Sequence, residues 1–238
     1  MRFVDRFEYK YALDIKSYHS FKNQLMMFMK HGHFTEVTNA KRYFVRSLYY
    51  DTYDFKHYLE SEEGMFGRIK CRIRTYHQTM EEADIISVEI KAKHGSTVKK
   101  YSQLIDIETF KYFLDHKAFN QSSKVLDEFT RLIHQGSLEP KVIVEYEREG
   151  YVPRDDSDFR LTFDFNVRSG QSKKLFEKSG HLTRKHNQKI VCEIKCGMDK
   201  PEWLESMVKT YGLKTVRNSK YIQAIERMYP GLTSARDN

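Results

Sequence analysis

Proline and glycine are scarce, at 4 and 11 of 238 residues. That excludes collagen-like and low-complexity architectures, which need them in quantity. Cysteine is scarcer still. Cys71, Cys192 and Cys196 are odd in number and lack any metal-type spacing with histidine, so neither a disulfide framework nor a Cys/His metal site is expected. A reducing, cytoplasmic setting is the expectation that follows. No apolar run approaches the roughly 20 residues of a membrane span. The opening MRFVDRFEYKY has no apolar segment of the kind a secretory signal needs. Charge and aromatic rings are what the chain does have. Lys and Arg number 41 against 33 Asp and Glu, leaving a formal +8. Such an excess points to polyanionic partners: nucleic acid, anionic membrane or phosphorylated small molecules. The 16 Tyr and 16 Phe argue against disorder. A chain of this length buries a proper core without disulfide staples.

The dominant pattern is alternation with period two, the mark of strands with one face in a core. In Arg2–Tyr11, Arg6, Glu8 and Lys10 share one face, while Phe3, Phe7, Tyr9 and Tyr11 share the other. Arg42–Asp51 is a second strand, rich in aromatic residues. Phe66–Tyr76 is the clearest: Arg68, Lys70, Arg72 and Arg74 alternate with Ile69, Cys71 and Ile73. Ile85–Lys93 sets Glu89, Lys91 and Lys93 against Val88, Ile90 and Ala92, and Val98–Ile105 follows after a turn at His94–Ser96. Lys141–Tyr151, Arg160–Arg168 and Lys189–Cys196 bring the strands to eight. Helical periodicity fills the gaps. Ile15–Met29 follows an Asp14 cap, Ile107–Leu114 and Ser123–His134 form a pair, Pro201 opens another helix, and Ser219 caps the last. No repeat, linker or composition break appears. Residues 1–229 are therefore expected to form a single domain, and 230–238 a flexible tail.

A half-buried strand facing bulk water tolerates any hydrophilic mixture. Four cations in a row instead cost stability unless an anion or a row of acids lies opposite. From Arg68 to Arg74 they span about 20 Å. A solvated basic face is the plain alternative for one strand taken alone. Nearly every strand repeats the habit, joined by isolated Glu8, Glu89, Asp164 and Glu193, and that weighs against it. Eight such strands closed on themselves, apolar faces outward under helices, make a barrel with a charged interior. Arginine pairs with phosphate oxygens and lysine supplies point charges, so such an interior suits phosphate chains. Each acid alone reads as a salt-bridge partner; as a set in a cationic lining they read as a site for a divalent cation. Nucleic-acid binding is the weakest competitor, because cations and aromatic residues fall on opposite strand faces here.

The motifs RFEYK at Arg6–Lys10, SLYYDT at Ser47–Thr52, GRIKCRIRTY at Gly67–Tyr76, VEIKAK at Val88–Lys93, VEYER at Val144–Arg148, RLTFD at Arg160–Asp164, CEIK at Cys192–Lys195 and SKY at Ser219–Tyr221 come in that order. In that order they resemble the VTC domain, the catalytic domain of vacuolar transporter chaperone polyphosphate polymerases, within the triphosphate tunnel metalloenzymes. One such motif is weak; eight in sequence, covering nearly the whole chain, are specific. The resemblance implies an α+β fold, an eight-stranded antiparallel β-barrel (the triphosphate tunnel) with flanking helices. It implies that Lys10, Arg72, Arg74, Lys91, Arg148, Arg160, Lys195 and Lys220 bind phosphate, joined by one of Lys99 and Lys100, with Lys99 preferred. It also implies Glu193 as metal ligand, with Mn2+ or Mg2+ as the ion; Glu8, Glu89, Glu145 and Asp164 are weaker metal candidates. Alternation puts Arg148 and Glu145 on opposite faces, so Arg148 is kept and Glu145 is held lightly. One departure matters. Triphosphatase members open with two carboxylates in ExExK, whereas Arg6 takes the first place here. A cation for an acid weakens metal-centred water activation and strengthens the grip on a long anion.

The expected function is therefore a metal-dependent polyphosphate polymerase that transfers the ATP γ-phosphoryl to a polyphosphate chain. Arg72, Arg74, Arg148, Arg160 and Glu193 form its expected catalytic set. The alternatives are an inorganic or nucleoside triphosphatase of the same superfamily, or a non-catalytic polyphosphate-binding module. ATP and polyphosphate or triphosphate are the expected partners, with no nucleic acid and no membrane span. The SPX sensor and membrane helices of the fungal polymerases are not expected here. Other features read plainly: His31 and His33 as loop residues, Lys173–Lys189 as a solvated basic loop, Trp203 with Met207 and Tyr211 as packing, and the three cysteines as structural.

Overall fold

Each of the eight alternating stretches forms a strand, and their antiparallel pairing gives the expected α+β class. The computed structural model describes residues 7–38, 41–95, 97–155, 157–176, 182–184, 189–197, 200–216 and 219–234. In chain order the elements are β1 (Phe7–Leu13), α1 (Ile15–Leu25), β2 (Met29–His31), α2 (His33–Glu36), β3 (Tyr43–Asp51), α3 (Lys56–Glu62), β4 (Gly67–Thr75), β5 (Ile85–His94) and β6 (Thr97–Asp106). There follow α4 (Ile107–His116), α5 (Lys124–Gln135), β7 (Glu139–Pro153), β8 (Arg160–Gln171), β9 (Thr183–Arg184), β10 (Ile190–Cys196), α6 (Glu202–Thr210), α7 (Lys220–Met228) and α8 (Gly231–Ser234). No helix among the described residues is long and apolar enough to cross a membrane.

One compact unit comprises Met1–Phe44, Tyr146–Val167 and Arg184–Asn218. Its hydrogen-bonded strand order is β1-β10-β8-β7, with β2 on β7. Register sets Tyr11 opposite Cys192 and Cys192 opposite Phe163, which makes one face apolar. Tyr18, Phe21 and Leu25 of α1, with Leu204 and Met207 of α6, cover that face. Asp14 starts α1 by accepting the Ser17 N–H at 2.7 Å, which satisfies an otherwise orphan donor. The helix stops at Leu25, short of the expected Met29, because Met29 pairs with Pro153 in the β2–β7 ladder. His31 and His33 accordingly lie in β2 and at the start of α2 rather than in a loop, and the His31 ring packs on Tyr151 at 4.9 Å. Pro201 is the residue before α6 rather than its first, and Trp203 stacks on Phe28 at 4.4 Å as packing.

The other unit comprises Val45–Glu145, Arg168–Thr183 and Ser219–Asn238. Its strand order is β7-β3-β4-β5-β6. Leu48 lies opposite Ile73, and Ile73 opposite Val88. Phe110 and Phe113 of α4 and Leu126, Phe129, Leu132 and Ile133 of α5 bury this apolar face. Asp106 and Ser123 cap these two helices through the N–H groups of Thr109 (2.8 Å) and Leu126 (3.2 Å). All three cysteines are buried among apolar side chains. Among the described residues the ladder order begins at β1 and stops at β6, so hydrogen bonding leaves the sheet open where a closed barrel was expected. The reason is visible on β6. Thr97 to Ser102 are exposed, and Lys99 and Lys100 sit on that edge, a common guard against further strand pairing.

Candidate active site

In the second unit, the four cations of β4 lie on the face opposite Cys71 and Ile73. Cross-strand register sorts them into rows. Arg74 lies between Ser47 and Ser87, Arg72 between Tyr49 and Glu89, while Lys70 faces Lys91 and Arg68 faces Lys93. On β6 the rows continue with Ser102 beside Glu89 and Lys100 beside Lys91. Glu89 is the buried hub. Its Oε2 accepts from Arg72 Nε and Nη2 at 2.9 and 2.6 Å and lies 3.1 Å from Lys100 Nζ. Its Oε1 accepts from Ser87 Oγ at 3.2 Å and lies 3.6 Å from Arg74 Nη1. Burial alone would raise this carboxyl, but Arg72, Arg74 and Lys100 outweigh it and hold it far below the usual carboxylate range. The hub therefore stays charged and fixes two guanidinium groups.

The same face carries groups that the sequence reading passed over. Arg72 Nη1 donates to the Tyr49 hydroxyl at 3.0 Å, and the Tyr49 ring stacks on Tyr221 at 5.2 Å. Burial raises the Tyr49 phenol, yet Arg72 and Arg74, helped by Lys220, bring it below its ordinary value. Lys70 Nζ donates to Ser219 Oγ at 3.0 Å, where α7 begins. Tyr221 donates its hydroxyl to the buried Asp51, which also accepts the N–H groups of His57 and Tyr58, each at 2.9 Å. The SLYYDT and SKY motifs thus meet at one carboxylate that fastens α3 and α7 to β3. Lys220 is the first residue of α7 and partly buried. Register separates the two lysines between which the sequence chose Lys99. Lys99 lies opposite Ala92, on the apolar side of β5, whereas Lys100 lies opposite Lys91 and reaches Glu89.

In the first unit, three rows cross β1, β10 and β8. Glu8, Lys195 and Arg160 form one, Lys10, Glu193 and Thr162 the next, and Ala12, Val191 and Asp164 the third. Lys10 Nζ lies 2.6 Å from Glu8 and 3.9 Å from Glu193, and Lys195 Nζ lies 2.8 Å from the other Glu193 oxygen. Glu193 is buried, while Arg160 is exposed. Arg148 donates Nε and Nη2 to the two oxygens of the fully buried Asp164, at 2.6 and 2.9 Å. Burial opposes the Arg148 charge, but Asp164 more than offsets it and raises the guanidinium further above its ordinary value. Arg6 lies outside the described residues.

Rows of cations with sparse, buried carboxylates, on antiparallel strands in this motif order, now have a match. The sequence fits the VTC domain over residues 5–229. The chain belongs to the VTC domain family. That family lies within the triphosphate tunnel superfamily. Among solved structures, a Bacillus halodurans protein provisionally described as an adenylate cyclase matches with a TM-score of 0.57 at 15% identity, covering 94% of this chain and 99% of its own. A Pyrococcus horikoshii protein matches at 0.50 and 13% identity, covering 93% and 99%. At such identities the likeness shows the fold. No curated protein matches the sequence.

Within this VTC domain, two of the expected metal candidates are engaged by cations. Both Asp164 oxygens are taken by Arg148, and those of Glu89 by Arg72, Ser87, Arg74 and Lys100. Each carboxylate holds a guanidinium group through two hydrogen bonds. Glu145 is likewise a core partner: Arg46, only 1% exposed, donates Nε and Nη2 to it at 3.0 and 2.6 Å. Among the described residues no cluster of three or more His, Cys, Asp or Glu is arranged to hold a metal. Glu8 and Glu193 do flank one point, the Lys10 ammonium, and the Thr162 hydroxyl beside Glu193 is buried with no hydrogen-bond partner among the described residues. Two carboxylates and a hydroxyl form an oxygen-only set. That set fits a hard divalent ion shared with substrate phosphates, not an all-protein cage.

Proposed function

We propose that this VTC domain is a metal-dependent polyphosphate polymerase that transfers the γ-phosphoryl group of ATP to the end of a polyphosphate chain. One observation carries the reading. Cations lie directly opposite cations across neighbouring strands: Lys70 with Lys91, Lys91 with Lys100, Arg68 with Lys93, and Lys195 with Arg160. Like charges so placed are destabilising unless a polyanion lies along them. Arg6 in place of the triphosphatase acid supports chain growth over hydrolysis, since it adds grip on a long anion where water activation needs metal.

In the reaction, a terminal phosphate oxygen of the acceptor attacks the γ-phosphorus. The bond to the β–γ bridging oxygen breaks, and ADP leaves. The acceptor is already ionised, so no general base is required. Alignment and neutralisation of the spreading charge do most of the work. In the second unit, Arg72 and Arg74, steadied by Glu89, are clamps for phosphoryl oxygens, with Lys91, Lys100 and Lys220 as further charges. In the first unit, Arg148, steadied by Asp164, and Arg160 have the same role, with Lys10 and Lys195 beside them. Mn2+ or Mg2+ held by Glu193 and Glu8 would supply charge neutralisation on bridged phosphates.

The test incubates purified protein with ATP and Mn2+ or Mg2+ and resolves the products on a gel. A ladder of polyphosphate is expected, and Glu193→Gln should abolish it while the circular dichroism spectrum is unchanged. Phosphate release without chain growth would select a triphosphatase instead. Tight polyphosphate binding without turnover under any divalent ion would select a binding module.

A further inference from the structure

We infer that the outer row formed by Arg68 and Lys93 is a chain-length subsite, engaging phosphates that a triphosphate is too short to place there. This rests on the polyphosphate reading above and adds what part of the substrate these residues recognise. The four cations of β4 extend about 20 Å, at roughly 6.8 Å per row. They are not equivalent. Arg74 is 7% exposed and hydrogen-bonded to Ser47, and the Arg72 side chain is 23% exposed and held by Glu89 and Tyr49. Farther along, Lys70 and Arg68 are partly exposed, Lys91 is exposed, and the Lys100 side chain is 48% exposed. Buried rows with built-in partners thus give way to open rows of like charge.

The last row is the most telling. Arg68 and Lys93 are direct cross-strand partners, and Val98 is next to Lys93 on the edge strand. Among the described residues, no carboxylate lies within 4.0 Å of either cation. Glu89 sits two rows away and is saturated. Among the described residues no hydrogen bond or ion pair between side chains engages the pair, and its repulsion works against the hairpin. A linear polyanion anchored at Arg72 and Arg74 and lying along β4 and β5 removes that repulsion only when it is long enough to reach the outer row. The terminal phosphates then belong at the buried rows, and the chain body at the open ones.

Isothermal titration of the full chain with tripolyphosphate and with long-chain polyphosphate tests this, for the wild type and for Arg68→Ala/Lys93→Ala. The double variant should bind the long chain about fivefold to tenfold more weakly, each exposed charge contact being modest. Tripolyphosphate affinity should stay within about twofold, a difference too small to matter on the tenfold scale. Without ligand, the variant's thermal midpoint should equal or exceed the wild type's, which a structural role for the pair would not allow. Equal weakening for both ligands, no weakening for the long chain, or a clearly lower midpoint overturns the inference. A wild type that binds both lengths with equal affinity also overturns it while leaving the polymerase reading intact. Failure of the wild type to bind either ligand overturns both.

Discussion

Lys100 and Lys99 are neighbours with opposite prospects. The Lys100 ammonium sits 3.1 Å from Glu89 and beside Lys91 across the ladder, while Lys99 has Ala92 for its partner. Burial and the nearby Arg72 and Arg74 lower the Lys100 pKa, and Glu89 pulls it back up. An ammonium held 3.1 Å from a buried carboxylate is already desolvated in part, which makes it an effective phosphate contact. Lys100→Ala should therefore weaken tripolyphosphate binding about tenfold, in line with a charge-assisted contact, and Lys99→Ala by less than about twofold. Titration calorimetry of the two single variants separates them. Equal losses would mean that strand register does not determine which lysine serves.

At the scale of elements, the connection that matters is Asp51. It closes β3 and accepts hydrogen bonds from the first turn of α3 and from Tyr221 of α7. The N–H groups of Thr52, His57 and Tyr58 and the Tyr221 hydroxyl converge on one buried carboxylate, which leaves a large penalty if it is removed. Asp51→Ala should cost about 3 kcal/mol or more in urea unfolding, because several buried donors lose a charged acceptor at once. The variant should also bind tripolyphosphate less well, since α7 carries Lys220 and Ser219 to the cationic face. Full stability in that variant would show that α3 and α7 are held by packing alone. The polar anchor complements the apolar one, where Phe129 of α5 lies fully buried against β3 and β5 residues.

For the molecule as a whole, buried carboxylates dictate the response to acid. Glu89 is depressed by Arg72, Arg74 and Lys100 against its burial. Glu149 is also depressed against its burial, by hydrogen bonds from Tyr18, Arg42 and Tyr151 and by the charge of Lys22. Both fold with a pKa below the unfolded value of about 4.3. Their stabilisation is present above that pH and is lost as pH falls through the folded values. Thermal melts should therefore decline steeply from about pH 4.3 downward. Glu89→Gln should flatten part of that decline; an unchanged acid limb would rule Glu89 out as a contributor.

Strand positions, the cation-bearing faces, the helices behind them and the capping residues Asp14 and Ser219 were legible from periodicity and local chemistry, because a strand's side chains alternate whatever it pairs with. That Lys10 and Glu193 point to the polar side of their strands was legible from alternation, and register makes them cross-strand partners. Register itself was not legible. Whether Lys99 or Lys100 meets Glu89 depends on how the β5–β6 hairpin closes, and one residue of slip exchanges the faces. Nor did spacing tell which carboxylates a guanidinium takes: Arg148 holds Asp164 and Arg72 holds Glu89. Asp51 and Tyr221 are 170 positions apart, and Arg46 and Glu145 are 99 apart. Local pattern was set by the amino acids themselves; partners chosen across such distances were decided by tertiary packing, since only the assembled sheet brings their charges within reach.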